Sequence, residues 1–288
     1  MSEQPPLSRR DFTAMSIAAG LTAASGARAA AAHEVLDTDV EVRTQDGTCD
    51  AALVHPKGQG RWPAAILFAD AFGLRPVMRD MAKRLAQEGY TVLVPNPYYR
   101  STKAPGLPPG FDFNNPADRQ KLAELRAPLT ADAVAHDAIA YTAFLDANAP
   151  VKKSAKMGVF GYCMGGAMTL RAAAALPERV GAGASFHGGG LVTDKPDSPH
   201  LLVPKIKARY YFGIATNDDA SDPQAKTTLK EAFGDAHLGA KIEVYEGCLH
   251  GWCVKDMPHA PDGKPIYNEA QAERAWSELV GLFKGAAV

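Results

Sequence analysis

The chain has 288 residues, 46% hydrophobic and 22% charged, with a formal net charge of −1, the composition of a globular protein with enough apolar residues for one large core. A charge so near zero gives no reason to expect nucleic acid or an acidic membrane surface as a partner. No apolar run approaches the ~18 residues of a membrane span.

The first elements to be read are not part of a fold. Ser8-Arg9-Arg10-Asp11-Phe12 carries paired arginines, Met15 to Ala24 is weakly apolar, and Ala27-Arg28-Ala29 has the small-residue spacing of a cleavage site. The segment resembles a twin-arginine export signal. The resemblance implies recognition by the twin-arginine export machinery, transfer of the folded protein, removal of residues 1–29 and a periplasmic location. One domain is then expected over residues 34–288. Cys49, Cys163, Cys248 and Cys253 would work in an oxidising compartment. A chain this rich in core residues does not need a disulfide framework. Cys248 and Cys253 could bridge, and nothing in the sequence demands it. No C-x-x-C, H-E-x-x-H or paired Cys/His spacing occurs, so neither metal nor cofactor is expected.

Val40–Arg43 and Ala51–Val54 are partly polar and read as an antiparallel edge pair. Ala64–Phe68, Thr91–Val94, Lys156–Phe160, Gly181–Phe186, Ala208–Phe212 and Ile242–Tyr245 are mostly continuous apolar runs, as expected of strands covered on both faces. Helical patterns lie between them: Pro76–Gln87, Thr130–Leu145, Ala167–Leu176, Pro223–Phe233 and Glu269–Phe283. Tyr98–Asp118, rich in Pro, Gly and Asn, reads as a long loop following a strand. The alternation predicts an α/β fold with a mostly parallel sheet and helices on both faces.

Gly161-Tyr162-Cys163-Met164-Gly165-Gly166 joins a predicted strand to a predicted helix. Strand, G-x-C-x-G, helix is the nucleophile-elbow pattern with sulfur in place of the serine oxygen. Side chains at Gly161 and Gly165 would collide with neighbouring backbone in so sharp a turn. The middle residue is held at a helix N-terminus, where free N–H groups favour a thiolate. An inert core cysteine is the competing reading for the motif alone. A thiol nucleophile needs a base and a group to orient that base, and in folds using this elbow the chain order is nucleophile, acid, histidine. His250 follows the strand Ile242–Tyr245 and satisfies the order; His33, His55 and His136 precede the elbow, and His187 comes before any acid. In Gly213 to Pro223, Asp218 is nearest the preceding strand end and is taken as the acid. Asp219 is the next candidate, and Asp222 reads as a cap for the following helix.

Together these residues resemble the dienelactone hydrolase family of the α/β-hydrolase fold. Gly161 to Gly166 resembles its nucleophile box, Gly213-x-Ala215-x-x-Asp218 its acid loop, and His250-Gly251-Trp252 its histidine loop. The resemblance implies hydrolysis of a small ester or enol-lactone through a Cys163–His250–Asp218 triad and a thioester, without metal or cofactor, in a monomer. It implies an oxyanion hole formed by the backbone N–H groups of Met164 and Ala71. Tyr162 and Trp252, beside the nucleophile and the histidine, are expected at the substrate site. Asp70 stands where dienelactone-cleaving members carry glutamate, and is expected near the thiol, raising its pKa. Arg100 falls at one carboxylate-binding arginine of the family; at the position of the other stands Val254, with Lys255 adjacent. A non-catalytic relative that binds a ligand, or senses redox state through its thiols, is the alternative.

Overall fold

Two ten-residue strands begin the sheet, β1 (Val35–Thr44) and β2 (Gly47–Pro56), paired antiparallel in the register Val42↔Cys49. This is the partly polar edge pair, longer at both ends than expected. The computed structural model describes residues 32–108 and 110–288; the export signal read over residues 1–29 lies outside them. His33–Val288 form one compact unit.

β2 pairs antiparallel with β4 (Thr91–Pro95). The remaining strands are parallel: β3 (Ala64–Phe68), β5 (Met157–Tyr162), β6 (Val180–Phe186), β7 (Arg209–Ala215) and β8 (Ala240–Tyr245). The order across the sheet is β1-β2-β4-β3-β5-β6-β7-β8. Every residue of β3, β4 and β5 is buried, which is why their sequences run apolar without alternation.

The strand pleat divides the core in two. On one face Ala65, Leu67, Val92 and Phe160 meet α1 (Pro76–Gln87) and the last helix, α7 (Glu269–Gly285), through Met78, Leu85, Leu279 and Phe283. On the other, Ile66, Leu93, Val159 and Phe212 meet α3 (Ala131–Asn148) and α4 (Met164–Ala175) through Leu145 and Leu170, and α6 (Ala225–Asp235) through Leu229. This is the doubly covered sheet of the α/β-hydrolase fold. No helix among the described residues is long and apolar enough to cross a membrane.

Two stretches expected as loop contain helix. The end of the Tyr98–Asp118 segment opens α2 (Pro116–Arg126), where Asn115 accepts from the Ala117 N–H at 2.9 Å. The Asn, Pro and Asp there form a cap, a first-turn proline and an acidic first turn, all signals of a helix start. The acid loop likewise winds into the six-residue α5 (Thr216–Ser221). Asp222 lies in the turn before α6 and accepts from the Ala225 N–H at 3.2 Å, while the cap position itself is Gln224. The carboxyl ends of the parallel strands share one edge of the sheet. There they present the turns carrying Asp70, Cys163, His187, Asp218 and His250, the usual place for a site in such a sheet.

Candidate active site

Cys163 occupies the turn between β5 and α4 at φ 53° and ψ −120°, a backbone that side-chain-bearing residues rarely adopt. Packing holds it there. A Cβ on Gly161 would stand 2.3 Å from the Gly165 carbonyl oxygen, and one on Gly165 would stand 2.2 Å from that of Phe68. Only hydrogen at both positions lets α4 leave the sheet so abruptly. The Cys163 N–H donates to Phe186 O, and its carbonyl accepts from Gly166 and Gly189. The turn is therefore tied to β6 as well as to its own helix.

His250 follows β8 and is brought to Asp218 of α5. Its Nδ1–H donates to Asp218 Oδ2 at 2.8 Å and reaches Oδ1 at 3.0 Å. Its backbone N–H donates to Asn217 Oδ1 at 2.8 Å. One short helix thus fixes both the main chain and the ring of the histidine. Burial lowers the His250 pKa, but the hydrogen bonds and charges of Asp218 and Cys163 outweigh it and raise the pKa to about 10. Asp219, the other candidate acid, instead pairs with Lys226 at 2.7 Å.

The N–H groups of Ala71 and Met164 make no hydrogen bond to a described residue. Ala71 is held from its other side, where Tyr98 Oη donates to its carbonyl at 2.7 Å while lying 3.6 Å from Met164 Sδ. Tyr98 received no role from sequence; its position depends on Asn96, whose Oδ1 accepts from the Tyr98 N–H.

Four expected contacts take a different form. Asp70 does follow β3 and is 2% exposed. Its carboxylate, however, is chelated by Arg75 at 2.6 and 2.9 Å and accepts from the Phe72 N–H. Burial raises its pKa and Arg75 opposes the rise. Arg75 also forks onto Asp256 at 2.7 and 2.8 Å, so Asp70 is one arm of an ion-pair triad and not a free charge beside the thiol. Arg100 grips Asp137 with two bonds of 2.8 Å and Asp46 with bonds of 2.7 and 2.9 Å, which leaves no open face for a substrate carboxylate. Trp252 is wholly buried, stacked on Tyr245 with ring centroids 4.6 Å apart. It is core beneath the histidine loop, because the turn at Gly251 (φ 96°) sends the following side chain inward. Tyr162 points to the α1–α7 face, stacked on Phe186 at 5.4 Å, since strand alternation directs it away from Cys163.

Two features were given no role from the sequence. His187, set aside there by chain order, is fully buried at φ 40°, its ring 4.7 Å from that of His250. Burial and then the His250 charge push its pKa well below the usual value, so it stays neutral. Beside Met164 opens a cavity of about 490 Å³ lined by Arg126, Arg171 and Lys195. Arg171 is poorly neutralised: it donates to the Asp197 carbonyl at 3.0 Å and stands 3.7 Å from that residue's carboxylate. These cations come from α2, α4 and the loop after β6, and only the tertiary fold gathers them.

The dienelactone hydrolase family profile matches residues 49–287. The chain belongs to the dienelactone hydrolase family. A carboxymethylenebutenolidase-named protein of Synechocystis sp. is 29% identical over 257 residues, covering 87% of this chain and 97% of that one. Carboxymethylenebutenolidase 1 of Cupriavidus pinatubonensis is 28% identical over 203 residues, 69% of this chain and 80% of the relative. Among solved structures, a dienelactone hydrolase-like promiscuous phosphotriesterase from metagenomic libraries superposes with a TM-score of 0.69 at 19% identity, covering 88% of this chain and 98% of the other. At that identity the likeness establishes the fold. The dienelactone hydrolase family label and the α/β-hydrolase architecture thus agree.

Proposed function

We propose that this dienelactone hydrolase family member cleaves a small ester or lactone through a thioester on Cys163, with His250 as proton carrier and Asp218 as its orienting acid. The observation that carries the reading is a strained cysteine at a helix N-terminus on the same sheet edge as a histidine held Nδ1-first on a carboxylate, with Cys163 among the groups that raise the histidine's pKa. With His250 protonated at neutral pH, the sulfur attacks as a thiolate, forming the C–S bond. The carbonyl electrons move to oxygen, where the N–H groups of Met164 and Ala71 receive the charge; one such donor is worth about 3 kcal/mol. Collapse breaks the C–O bond, and His250 gives its proton to the departing alkoxide. Neutral His250 then takes a proton from water, hydroxide adds to the thioester, and the acid product leaves as the thiolate is restored. Asp218 stays ionised throughout.

Arg100 is fully engaged and Val254 is buried and apolar. A charged substrate group would therefore meet the cations of the cavity beside Met164. No metal or cofactor has a part in this scheme. We further propose that residues 1–29 direct the folded monomer to the periplasm through the twin-arginine machinery. Hydrolysis of p-nitrophenyl acetate and a panel of simple lactones tests the reaction. Turnover abolished in Cys163→Ala is expected, and full turnover in that variant contradicts the mechanism.

A further inference from the structure

Behind the elbow, between α1 and α7, lies a second cavity of about 400 Å³, within the usual range of small-molecule sites. Met81, Phe186 and Trp276 form much of its wall, and none of Cys163, Asp218 or His250 lines it. Two observations point to an occupant. Tyr162, 3% exposed, lines the cavity, and its hydroxyl makes no hydrogen bond to a described residue. Burial lifts its pKa well above the usual phenol value, so it is a neutral donor. Open to the cavity, that donor is free to meet an acceptor on an occupant. At the mouth, three of the four charges are already matched: Asp80 by Lys83, Arg84 by Glu273 and Asp256 by Arg75. Lys255, exposed at the rim, has no carboxylate partner among the described residues and only leans over the Tyr267 ring, 5.9 Å from its centroid.

We infer that this cavity is a second small-molecule site, separate from the reacting groups, which takes a flat aromatic acid of one or two rings. The ring body lies against Phe186 and Trp276, the Tyr162 hydroxyl donates to an acceptor at the deep end, and the acid group faces Lys255. The site is independent of the reaction proposed for Cys163. Its occupant would touch Tyr162, which precedes the nucleophile, and Phe186, which precedes His187.

The test is titration of 6-hydroxy-2-naphthoate into the full chain, followed by calorimetry and by quenching of Trp276 emission. Saturable one-to-one binding is expected, retained in Cys163→Ala. Ala272→Phe, which fills the cavity, should weaken binding at least about tenfold. Lys255→Ala, at an exposed position, should weaken it about two- to fivefold and leave binding of uncharged 2-naphthol unchanged; this arm still decides the matter if Ala272→Phe does not fold. Absence of binding, affinity unaltered in both variants, or competition with ester for the catalytic cleft (a raised KM that Ala272→Phe does not relieve) would overturn the assignment.

Discussion

His250 carries the clearest electrostatic signature in the site. Its folded pKa of about 10 lies above the ~6.5 of an unfolded histidine. The sign of the linkage follows: the stabilisation is complete below pH ~6.5 and disappears as pH rises through about 10. Thermal unfolding from pH 6 to 10 should show this loss in the native chain and a smaller one in Asp218→Asn. The same substitution removes the carboxylate that holds the imidazolium, so the alkaline limb of kcat/KM, expected near pH 10, should move to lower pH. kcat should fall by about 10²–10⁴-fold. An alkaline limb unmoved in Asp218→Asn would show that the pair does not govern the reacting histidine. Sequence order singled out His250 and the acid loop, and the fold brings the two within hydrogen-bonding distance. The choice of Asp218 over Asp219 became physical only when α5 turned one carboxylate to the histidine and the other to Lys226.

The elbow and the turn after β3 are the elements that set the site's geometry. Gly165→Ala places a methyl group 2.2 Å from Phe68 O and 2.7 Å from Ala69 O. Neither is a flexible side-chain end, so β3 and α4 must part. A loss of about 2–3 kcal/mol in denaturant unfolding is expected, with activity falling further than stability because Ala71 shifts with β3. Arg75→Ala should cost about 3–5 kcal/mol by leaving Asp70 and Asp256 without their shared cation. The double variant Arg75→Met with Asp70→Leu should recover part of that loss, and equal destabilisation of both variants would contradict the ion-pair account. These elements also show what local sequence can carry. The elbow was legible because its motif lies within one strand–turn–helix unit, although only the fold shows that Gly165 is held against the β3 backbone at Phe68 and Ala69. Arg75 was not, since one of its partners lies 181 positions away. Arg100 was placed near a carboxylate-binding role because sequence cannot distinguish a free guanidinium from one already chelated by Asp46 and Asp137. The start of α2 hid behind Asn115 and Pro116, residues shared by loops and helix caps.

Across the whole molecule, apolar runs alternating with amphipathic helices were sufficient to give the parallel sheet and its two covered faces. What the alternation could not give was the clustering of Arg126, Arg171 and Lys195 beside Met164, because each belongs to a different element of the finished fold. The proposed export signal makes a separate prediction. Replacing Arg9 and Arg10 together with lysine should leave the protein in the cytoplasm of a twin-arginine-competent host, as read by fractionation and intact mass. Periplasmic recovery of that variant, cleaved after residue 29, would contradict the assignment. Deleting residues 1–29 should leave the thermal midpoint unchanged, since His33–Val288 already form their own unit. The central claim, that Cys163 is the acylated nucleophile, is tested most directly by rapid-quench intact-mass analysis with p-nitrophenyl acetate, followed by peptide mapping. One acetyl group per chain, located on Cys163 and absent in Cys163→Ala, is the expected result. An acetyl group on another residue, or turnover with no acyl adduct and full activity in the variant, would contradict it.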